Sequence, residues 1–593
     1  MAKQWRILAH DAARIASLSR TAGVSSLVAQ LLIARGIPDA DGAARFLQPK
    51  LTGLRDPGEL PGVNEAADLI HQAVRDRRRI VVYGDYDCDG MTATAILVQC
   101  LQQLEADVSY YVPHRLEEGY GLSHEALDKI AARGGQVVIT VDCGIASVEE
   151  AAHARQLGLS LVITDHHSFG RQLPEATLVH PALPGHNYPF TGLCGAGVAF
   201  KLAWAICQRA SESQRVSPPL KKFLLQAVGL AAIGTIADVV PLIDENRILV
   251  LHGLHSLKSM PPLGLEVLLR LLQLDSKPQL SGDDIAFSIA PRLNAAGRLG
   301  QAQLAIELLT TNKTDRALAL AEYIHELNES RQSLERSIYL AARKQAVERF
   351  DPREDPALVL AGHGWHAGVI GIVAGRIAEK FHRPTVLISL DDLGVKPGVG
   401  SARSVPGFDL HAALQQCTSC LLSHGGHAAA AGLRIEEERL DEFREAFCEY
   451  ASENITIAER ISDLVIDAEC PLSALTFDAV RQIEALAPFG AGNKQPLLCA
   501  TDVTLCDTPK QIGGGGRHLS LRLDQHGQRL RCVAFGGGDW LGELSQHVGP
   551  IAIAYRPIIN NFRGRNSVEL QVVDWRADNL ASGAPSDAGR GVA

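Results

Sequence analysis

The stretch IVVYGDYDCDGMTATAILVQ, residues 80–99, decides the fold. A short apolar run closes on Gly84. Three aspartates follow at alternate positions, Asp85, Asp87 and Asp89, and Gly90 leads into MTATAILVQCLQQL, a segment of helical length. A strand that turns into a helix through a small acidic loop is the opening unit of an α/β sheet. Carboxylates this close repel one another, and no Lys or Arg interrupts them. A cation from outside the chain is therefore expected to neutralise them.

Outward from this point the alternation continues. DVSYYVP, QVVITVD and LSLVITD are apolar runs, and HEALDKIAARG and SVEEAAHARQLG are amphipathic segments between them. Short apolar strands separated by helices predict a parallel, doubly wound sheet, whose ligands gather beyond the carboxyl ends of the strands. Asp142 and Asp165 stand at two such ends.

The rest of the chain divides by texture. Residues 1–70 read as an α-helical lead-in, with SLVAQLLIARGI at helical spacing and a Pro/Gly-rich linker after it. Residues 71–265 form the first α/β domain. Residues 266–350 read as a helical connector, ending in a long segment without Pro or Gly that places opposite charges, such as Arg331 and Glu335, at helical spacing. Residues 351–460 form a second α/β domain. Residues 461–577 change to alternating strands with turn residues between them, which predicts a small antiparallel β-barrel. Residues 578–593 are small and polar and read as a disordered tail.

Bulk properties narrow the class. The 593 residues are 46% apolar and carry a formal net charge of −10, which excludes coating of nucleic acid by bulk charge but leaves room for a local basic channel. The 12 cysteines follow no disulfide spacing, and MAKQWRILAHDAARIAS has no apolar leader core, so reduced thiols and a cytoplasmic location are expected. LLQAVGLAAIGTIADVV is the most apolar run, but it contains Gln226 and several glycines and reads as a buried core helix rather than a membrane span.

Four motifs can converge on one cleft: GDYDCDG, TVDCG with Asp142, TDHH with Asp165, His166 and His167, and GTIADVVPL with Asp238. A lone aspartate after a strand is usually a cap or turn residue. DYDCDG resembles part of a calcium loop but lacks its closing Glu and sits in a strand–helix setting. Taken together, carboxylates and imidazole suit Mn²⁺ or Mg²⁺, and two ions sharing a carboxylate suit in-line hydrolysis of a phosphodiester.

These motifs, in this order, resemble the DHH phosphoesterase superfamily, and SHGGHAAAAG resembles its companion DHHA1 domain. APRLNAAGRLG and GSARSVPGFDLH narrow the resemblance to the superfamily's single-strand-specific DNA exonucleases. The resemblance covers residues from about 45 to 575. It implies metal ligation by Asp87, Asp89, Asp142, His166 and Asp238, with two divalent ions. It implies that His167 contacts the scissile phosphate or completes the site, and Asp85 and Asp165 can orient a ligand or a water. It also implies that Ser401 and Arg403 hold a terminal 5′-phosphate, and that the last domain is an OB-fold. The implied activity is 5′→3′ hydrolysis of single-stranded DNA to mononucleotides in repair and recombination. A helicase and a single-strand-binding protein are the implied partners; a monomer is the default expectation.

The residues offer their own support for an anion site. GWHAGVIGIVAGRIAEKF and SHGGHAAAAG put small residues, including Gly425 and Gly426 beside His427, where a helix start is expected to let backbone approach a phosphate. Tight Gly/Ala packing is the competing reading of both. Ser401 and Arg403 share one side if their stretch is extended, and Arg115 and Arg298 are candidate helpers, each with a structural salt bridge as its alternative. In the last domain Arg517, Arg531, Arg556, Arg563, Arg565, Phe535, Tyr555 and Phe562 are candidates for a single-strand track, against solvated arginines and core aromatics.

Other signals carry less. Cys417, Cys420, His424 and His427 are bunched into one segment with no finger to fold around zinc. The glycines at 513–516 lack the Lys and Ser/Thr of a phosphate-binding P-loop. Two rival functions stand beside the exonuclease: a phosphodiesterase of short RNAs or cyclic dinucleotides, against which the additional barrel argues, and a non-enzymatic replication scaffold, against which the complete set of ligand types argues.

Overall fold

The structure, a computed structural model, describes residues 4–114, 121–351, 355–455, 463–562 and 565–578. The chain forms two compact units. The first is built from residues 51–462 with 490–492, the second from residues up to 50, 463–489 and 493 onward.

The first unit opens with the expected parallel sheet. Its five strands run in the order Val108–Tyr111, Ile80–Gly84, Val137–Val141, Ser160–Thr164 and Thr177–Val179, and every pairing is parallel. The strands Ile80–Gly84 and Val137–Val141 are buried at every position, which is why they read as continuous apolar runs rather than alternations. Alternate side chains go to opposite faces. Val82, Ile139 and Val162 meet the helices Cys88–Gln103, Gly195–Ala210 and Pro218–Ala237, while Tyr83, Val138 and Ile163 meet His124–Ala132 and Val148–Gln156. Pro218–Ala237 is long and apolar enough to cross a membrane by length and composition, and 67% of its apolar window is buried inside the fold.

The helical connector is not a separate layer. Leu268, Ile285, Leu293 and Ile306 belong to the same core as the sheet. Only the 36-residue helix Thr314–Arg349 leaves it. Its first half places Leu320 and Ile324 in that core, and its second half places Ile338, Ala342 and Ala346 against Val369, Val373 and Leu387 of the next. Arg331 and Glu335 pair at 2.5 Å along this helix, and Glu335 also receives Arg376 at 2.7 Å.

The second α/β body carries strands in the order Ser423–Gly426, Ala430–Ile435, Gly398–Arg403, Thr385–Leu390 and Leu358–His363. Only the last two pair in parallel. One expectation is corrected here. SHGGHAAAAG opens no helix; it is a β-hairpin, with Gly425 opposite Gly432 and Gly426 opposite Ala431. The glycines serve a turn: Gly426 has φ 134°, and a Cβ there would lie 2.6 Å from the Ala430 carbonyl oxygen.

The second unit closes a ring of five strands, Leu498–Leu505, His518–Gln525, Gln528–Ala534, Arg565–Ala577 and Ile551–Phe562, which returns to Leu498–Leu505. The ring is not wholly antiparallel, because Gln528–Ala534 and Arg565–Ala577 pair in parallel. That order, with its third and fifth strands parallel, is the OB arrangement. The lead-in expected to span residues 1–70 divides near residue 50. Gln4–Ile7 is a strand paired in parallel with Asp463–Ile466, and Leu18, Leu31 and Leu32 sit in one core with Leu521 and Ile553 of the ring. Local helical spacing in SLVAQLLIARGI could not reveal this, because the partners lie more than 400 residues away.

Candidate metal centre

The acidic loop is shaped by glycines on both sides of it. A Cβ at Gly84 would lie 2.0 Å from Thr94 Oγ1, and one at Gly90 would lie 2.8 Å or less from Asp85 atoms. The loop therefore folds back tightly, and Asp87 becomes the N-cap of Cys88–Gln103, accepting the Gly90 N–H at 3.0 Å. Asp89 sits in that helix's first turn, and its carboxylate receives the N–H groups of Gly195 at 2.6 Å and Ala196 at 2.9 Å, which begin Gly195–Ala210. Helix starts favour negative charge, so two of them hold this pair of carboxylates.

The remaining acids arrive from the strand ends and from one helix end. Asp142 follows Val137–Val141 with φ 62°, a left-handed conformation rare for a side-chain-bearing residue, fixed by its N–H bond to the Thr164 carbonyl at 3.0 Å. A Cβ at Gly195 would lie 2.6 Å from its carboxyl oxygen. Asp238 caps the end of Pro218–Ala237, and Val239 after it has φ 61°. Asp165 turns inward: Oδ2 accepts the Ile145 N–H, while Oδ1 accepts the N–H groups of His166 and His167 and lies 2.8 Å from His167 Nδ1.

Ligand atoms from these residues come within 4.8 Å of one another in three overlapping groups: Asp85, Asp87 and Asp142; Asp89, His166 and Asp238; and Asp142, His166 and His167. His166 Nε2 is 3.0 Å from Asp142 Oδ1, 3.6 Å from Asp238 Oδ2 and 3.9 Å from Asp89 Oδ2. Burial, then the fields of Asp89, Asp87, Asp85 and Asp165, push the Asp142 carboxyl well above the usual carboxylate range. Burial and the neighbouring aspartates raise Asp87 as well and push Asp238 up to about 8. Burial lowers His166. Burial also opposes charge on His167, but the hydrogen bond and field of Asp165, with Asp238 and Asp87 behind it, raise it to about 9. Asp165 itself is held below its ordinary value: burial opposes that, and His167 with the backbone N–H groups outweighs it.

A divalent cation fits this donor set. Asp142 Oδ1 and His166 Nε2 are buried and face each other at 3.0 Å without hydrogen-bond geometry, as two ligand atoms of one cation would. Oxygen ligands mixed with one imidazole nitrogen suit Mn²⁺ and Mg²⁺.

Several contributors were not apparent from the sequence. Gly234 lies within a helix, where a Cβ would meet Asp89 Oδ1 at 2.4 Å. Asn294 Oδ1 accepts the Cys88 N–H at 2.8 Å, and a Cβ at Gly297 would lie 1.9 Å from the Tyr86 carbonyl oxygen. The signal in the sequence is APRLNAAGRLG, whose Asn and Gly carry these contacts alongside its Arg.

The expected anion-binding residues of the second body lie on one sheet, with Gly425 opposite Gly432 and Gly432 opposite Ser401. Ser401 and Arg403 share one side of Gly398–Arg403, and Arg403 Nη1 donates to Ser401 Oγ at 3.1 Å and to the Ala402 carbonyl at 2.8 Å. The helix Ala367–Phe381 lies against them; a Cβ at Gly371 would sit 2.9 Å from Ser401 Oγ and 3.0 Å from Arg403 Nη2. Arg298 Nη1 donates to the Gly368 carbonyl of that helix at 3.3 Å. Gly425, Gly426 and His427 are exposed on the hairpin, with His427 N–H bonded to the Ala430 carbonyl. Arg115 lies outside the described residues. In the second unit Tyr555 is fully buried with its hydroxyl donating to the Cys470 carbonyl, so it is a core residue and not part of a track. Phe535 is 63% exposed, and Arg531 pairs with Glu569 at 3.2 Å. Arg517 donates to the Gly514 carbonyl, and Arg556 Nε is buried without a hydrogen bond. Arg563 and the side chains of Phe562 and Arg565 lie outside the described residues.

Residues 79–234 match the DHH family N-terminal domain, residues 354–453 the DHHA1 domain and residues 466–574 the RecJ OB domain. The chain is similar to the single-stranded-DNA-specific exonuclease RecJ of Bacillus subtilis, 37% identical over 579 residues that cover 96% of this chain and 70% of that one. It is similar to the Escherichia coli protein of the same name, 33% identical with 92% and 94% covered. Among solved structures, RecJ from Thermus thermophilus with Mn²⁺ superimposes with a TM-score of 0.81 at 32% identity, covering all of this chain and 81% of that one. The Mg²⁺ complex of the same protein gives a TM-score of 0.75 at 31% identity, with 97% and 78% covered.

Proposed function

This chain belongs to the RecJ family of single-stranded-DNA-specific exonucleases, and on that premise we propose that it degrades single-stranded DNA from the 5′ end to mononucleotides, using two divalent cations, Mn²⁺ or Mg²⁺. The observation that carries the reading is the convergence of ligand atoms from Asp85, Asp87, Asp89, Asp142, His166 and Asp238 in a buried cluster of mutually repelling carboxylates. Asp87, Asp89, Asp142, His166 and Asp238 would hold the ions, with Asp142 common to two of the three ligand groups and Asp85 in one of them. When bound, the ions polarise the phosphodiester and supply a nucleophile from water.

The chain's own residues do the rest. His167 is half-exposed, and the Asp165 carboxylate beside its Nδ1 favours the charged form, in which it presents a cation to the incoming phosphate. Asp165 fixes the ring through Nδ1, which leaves Nε2 to face the substrate. Asp165 thus acts through His167 and not as a ligand, since its two oxygens already accept four hydrogen bonds. In the second α/β body Ser401 and Arg403 anchor the terminal 5′-phosphate, with Arg298, Arg115 and the Gly425–His427 turn as further contacts. An end held there sets the next phosphodiester over the metal centre. The OB ring extends the single-strand contact. A duplex-opening helicase and a single-strand-binding protein are the partners this activity calls for, with the monomer acting on cytoplasmic DNA.

A 5′-phosphorylated, 3′-labelled single strand and the same sequence as duplex, each with Mn²⁺ and then with EDTA, test the reading. Shortening of the single strand alone, with unlabelled mononucleotides released and EDTA arresting it, is the expected result. Release of labelled mononucleotide first would overturn the polarity. Cleavage of a dinucleotide but not of the long strand would overturn the substrate class.

A further inference from the structure

The helix Ala290–Arg298 supplies no metal ligand, yet it touches both parts of the machinery. Asn294 Oδ1 accepts the N–H of Cys88 at 2.8 Å. Cys88 begins the helix Cys88–Gln103, stands between Asp87 and Asp89 and is 1% exposed. N–H groups of a first helical turn have no partner within their own helix, and water does not reach this one. The approach is close enough that Gly297 has no room for a Cβ beside the Tyr86 carbonyl. At the far end Arg298 donates to the Gly368 carbonyl, where the helix behind Ser401 and Arg403 begins.

We infer that Asn294 is a positioning residue: its side-chain carbonyl fixes the loop carrying Asp87 and Asp89 in the geometry that two cations require. The inference rests on the metal-site reading above. The acceptor is neutral, so it satisfies the N–H without adding to a crowded set of carboxylates. Without it the Cys88 N–H is buried and unsatisfied, and the acceptors that flank it in sequence are the ligand carboxylates themselves. A carboxylate drawn to that N–H is turned away from the metal. Asn294 lies one turn from Arg298 on the same helix, so its removal disturbs the metal end and leaves the phosphate-holding end in place.

The test uses the full chain and three variants, Asn294→Ala, Asn294→Ser and Asn294→Asp. Mn²⁺ binding is followed without substrate by the electron paramagnetic resonance of the free ion, and steady-state hydrolysis is measured on a 5′-phosphorylated single strand. Ala and Ser, which cannot reach the Cys88 N–H, are expected to weaken Mn²⁺ by about tenfold or more, within the range seen when a group orienting a metal ligand is lost. They lower kcat at subsaturating Mn²⁺ and leave KM for the strand unchanged. Asp retains the acceptor and adds a negative charge that a cation relieves, so it is expected to bind Mn²⁺ no more weakly than the parent while melting lower in EDTA. If Ala does not fold, by circular dichroism and melting, Ser decides. Parent-like Mn²⁺ binding in a folded Ala or Ser variant, or a raised KM with unchanged Mn²⁺ affinity, overturns the inference while leaving the metal site standing. A parent protein that binds no Mn²⁺ overturns the metal-site reading and this inference with it.

Discussion

The metal centre and the face of the second α/β body proposed to hold the 5′-phosphate use the same parts, strand ends and glycine-lined helices, but burial acts on them in opposite ways. At the metal centre Asp89 and Asp142 are 1% and 2% exposed, and their charges repel. Without a cation such a cluster is electrostatically unfavourable, and a cation relieves it. On the second body the cationic group is already satisfied: Arg403 donates to Ser401 and to the Ala402 carbonyl. One region stores repulsion for its ligand to remove; the other is preorganised by its own hydrogen bonds. The first should therefore trade stability for chemistry, and the second should govern affinity alone.

Asp142→Asn is the sharpest way to break this comparison. It removes the carboxylate common to two of the three ligand groups, so hydrolysis of single-stranded DNA is expected to fall by more than ~1,000-fold. The same change removes one member of a repelling cluster, so in EDTA the variant's melting temperature should rise above the parent's. A variant that loses activity and also melts lower without metal would show that the cluster is not strained.

Arg403→Ala comes next. A bidentate phosphate contact is lost while the carboxylates are untouched, so KM for a 5′-phosphorylated strand should rise by ~10- to 100-fold with kcat nearly unchanged. The preference for a phosphorylated over a hydroxyl 5′ end should vanish. An unchanged preference would remove the second body from end recognition, and an equal fall in kcat would erase the distinction between the two regions.

A pH series on metal-free protein reads the stored repulsion directly. The folded Asp238 carboxyl is raised to about 8, against about 4 in an unfolded chain, and Asp142 and Asp87 are raised as well. Below pH 4 these groups are protonated in both states and carry no penalty. Between pH 4 and 8 the unfolded chain releases the Asp238 proton before the folded one does, so stability falls as pH rises and the Asp238 contribution levels off above about 8, with Asp142 and Asp87 acting in the same direction. Melting in EDTA should therefore decline more steeply with pH in the parent than in Asp238→Asn, and Mn²⁺ should restore more stability at pH 8 than at pH 5. Parallel pH profiles for parent and variant would count against a raised Asp238.

What the sequence disclosed follows from the same contrast. GDYDCDG, TVDCG and TDHH are legible because each sits just past an apolar strand, where chemistry and local pattern coincide. Asp238 was legible only as a motif, since it ends a helix and not a strand. Gly195, Gly234, Asn294 and Gly297 act through contacts with residues far away in the chain, and a helix containing them looks like any other. SHGGHAAAAG misled because glycine permits both a helix start and a tight hairpin, and only the pairing with Gly398–Arg403, about 30 residues earlier, decides between them. The second unit was legible as a strand ring, but its N-terminal helices were not, because spacing reports a buried face and not what buries it.

The smallest expected effect tests whether preorganisation on the second body depends on geometry as well as charge. Gly371→Ala adds one methyl group whose carbon would lie 2.9 Å from Ser401 Oγ and 3.0 Å from Arg403 Nη2. Both neighbours are the ends of side chains and can move by a few tenths of an ångström, so the fold and the melting temperature should hold. The displaced guanidinium no longer meets Ser401 as before, and KM for a 5′-phosphorylated strand should rise about threefold to tenfold, less than for loss of Arg403 itself, with kcat unchanged. The same methyl at Gly234 meets Asp89 Oδ1 at 2.4 Å and Ala196 Cβ at 2.6 Å inside the buried cluster. There it should lower kcat and Mn²⁺ affinity and leave KM alone. If one methyl group acts on KM at both glycines, or on kcat at both, the two regions do not divide binding from chemistry.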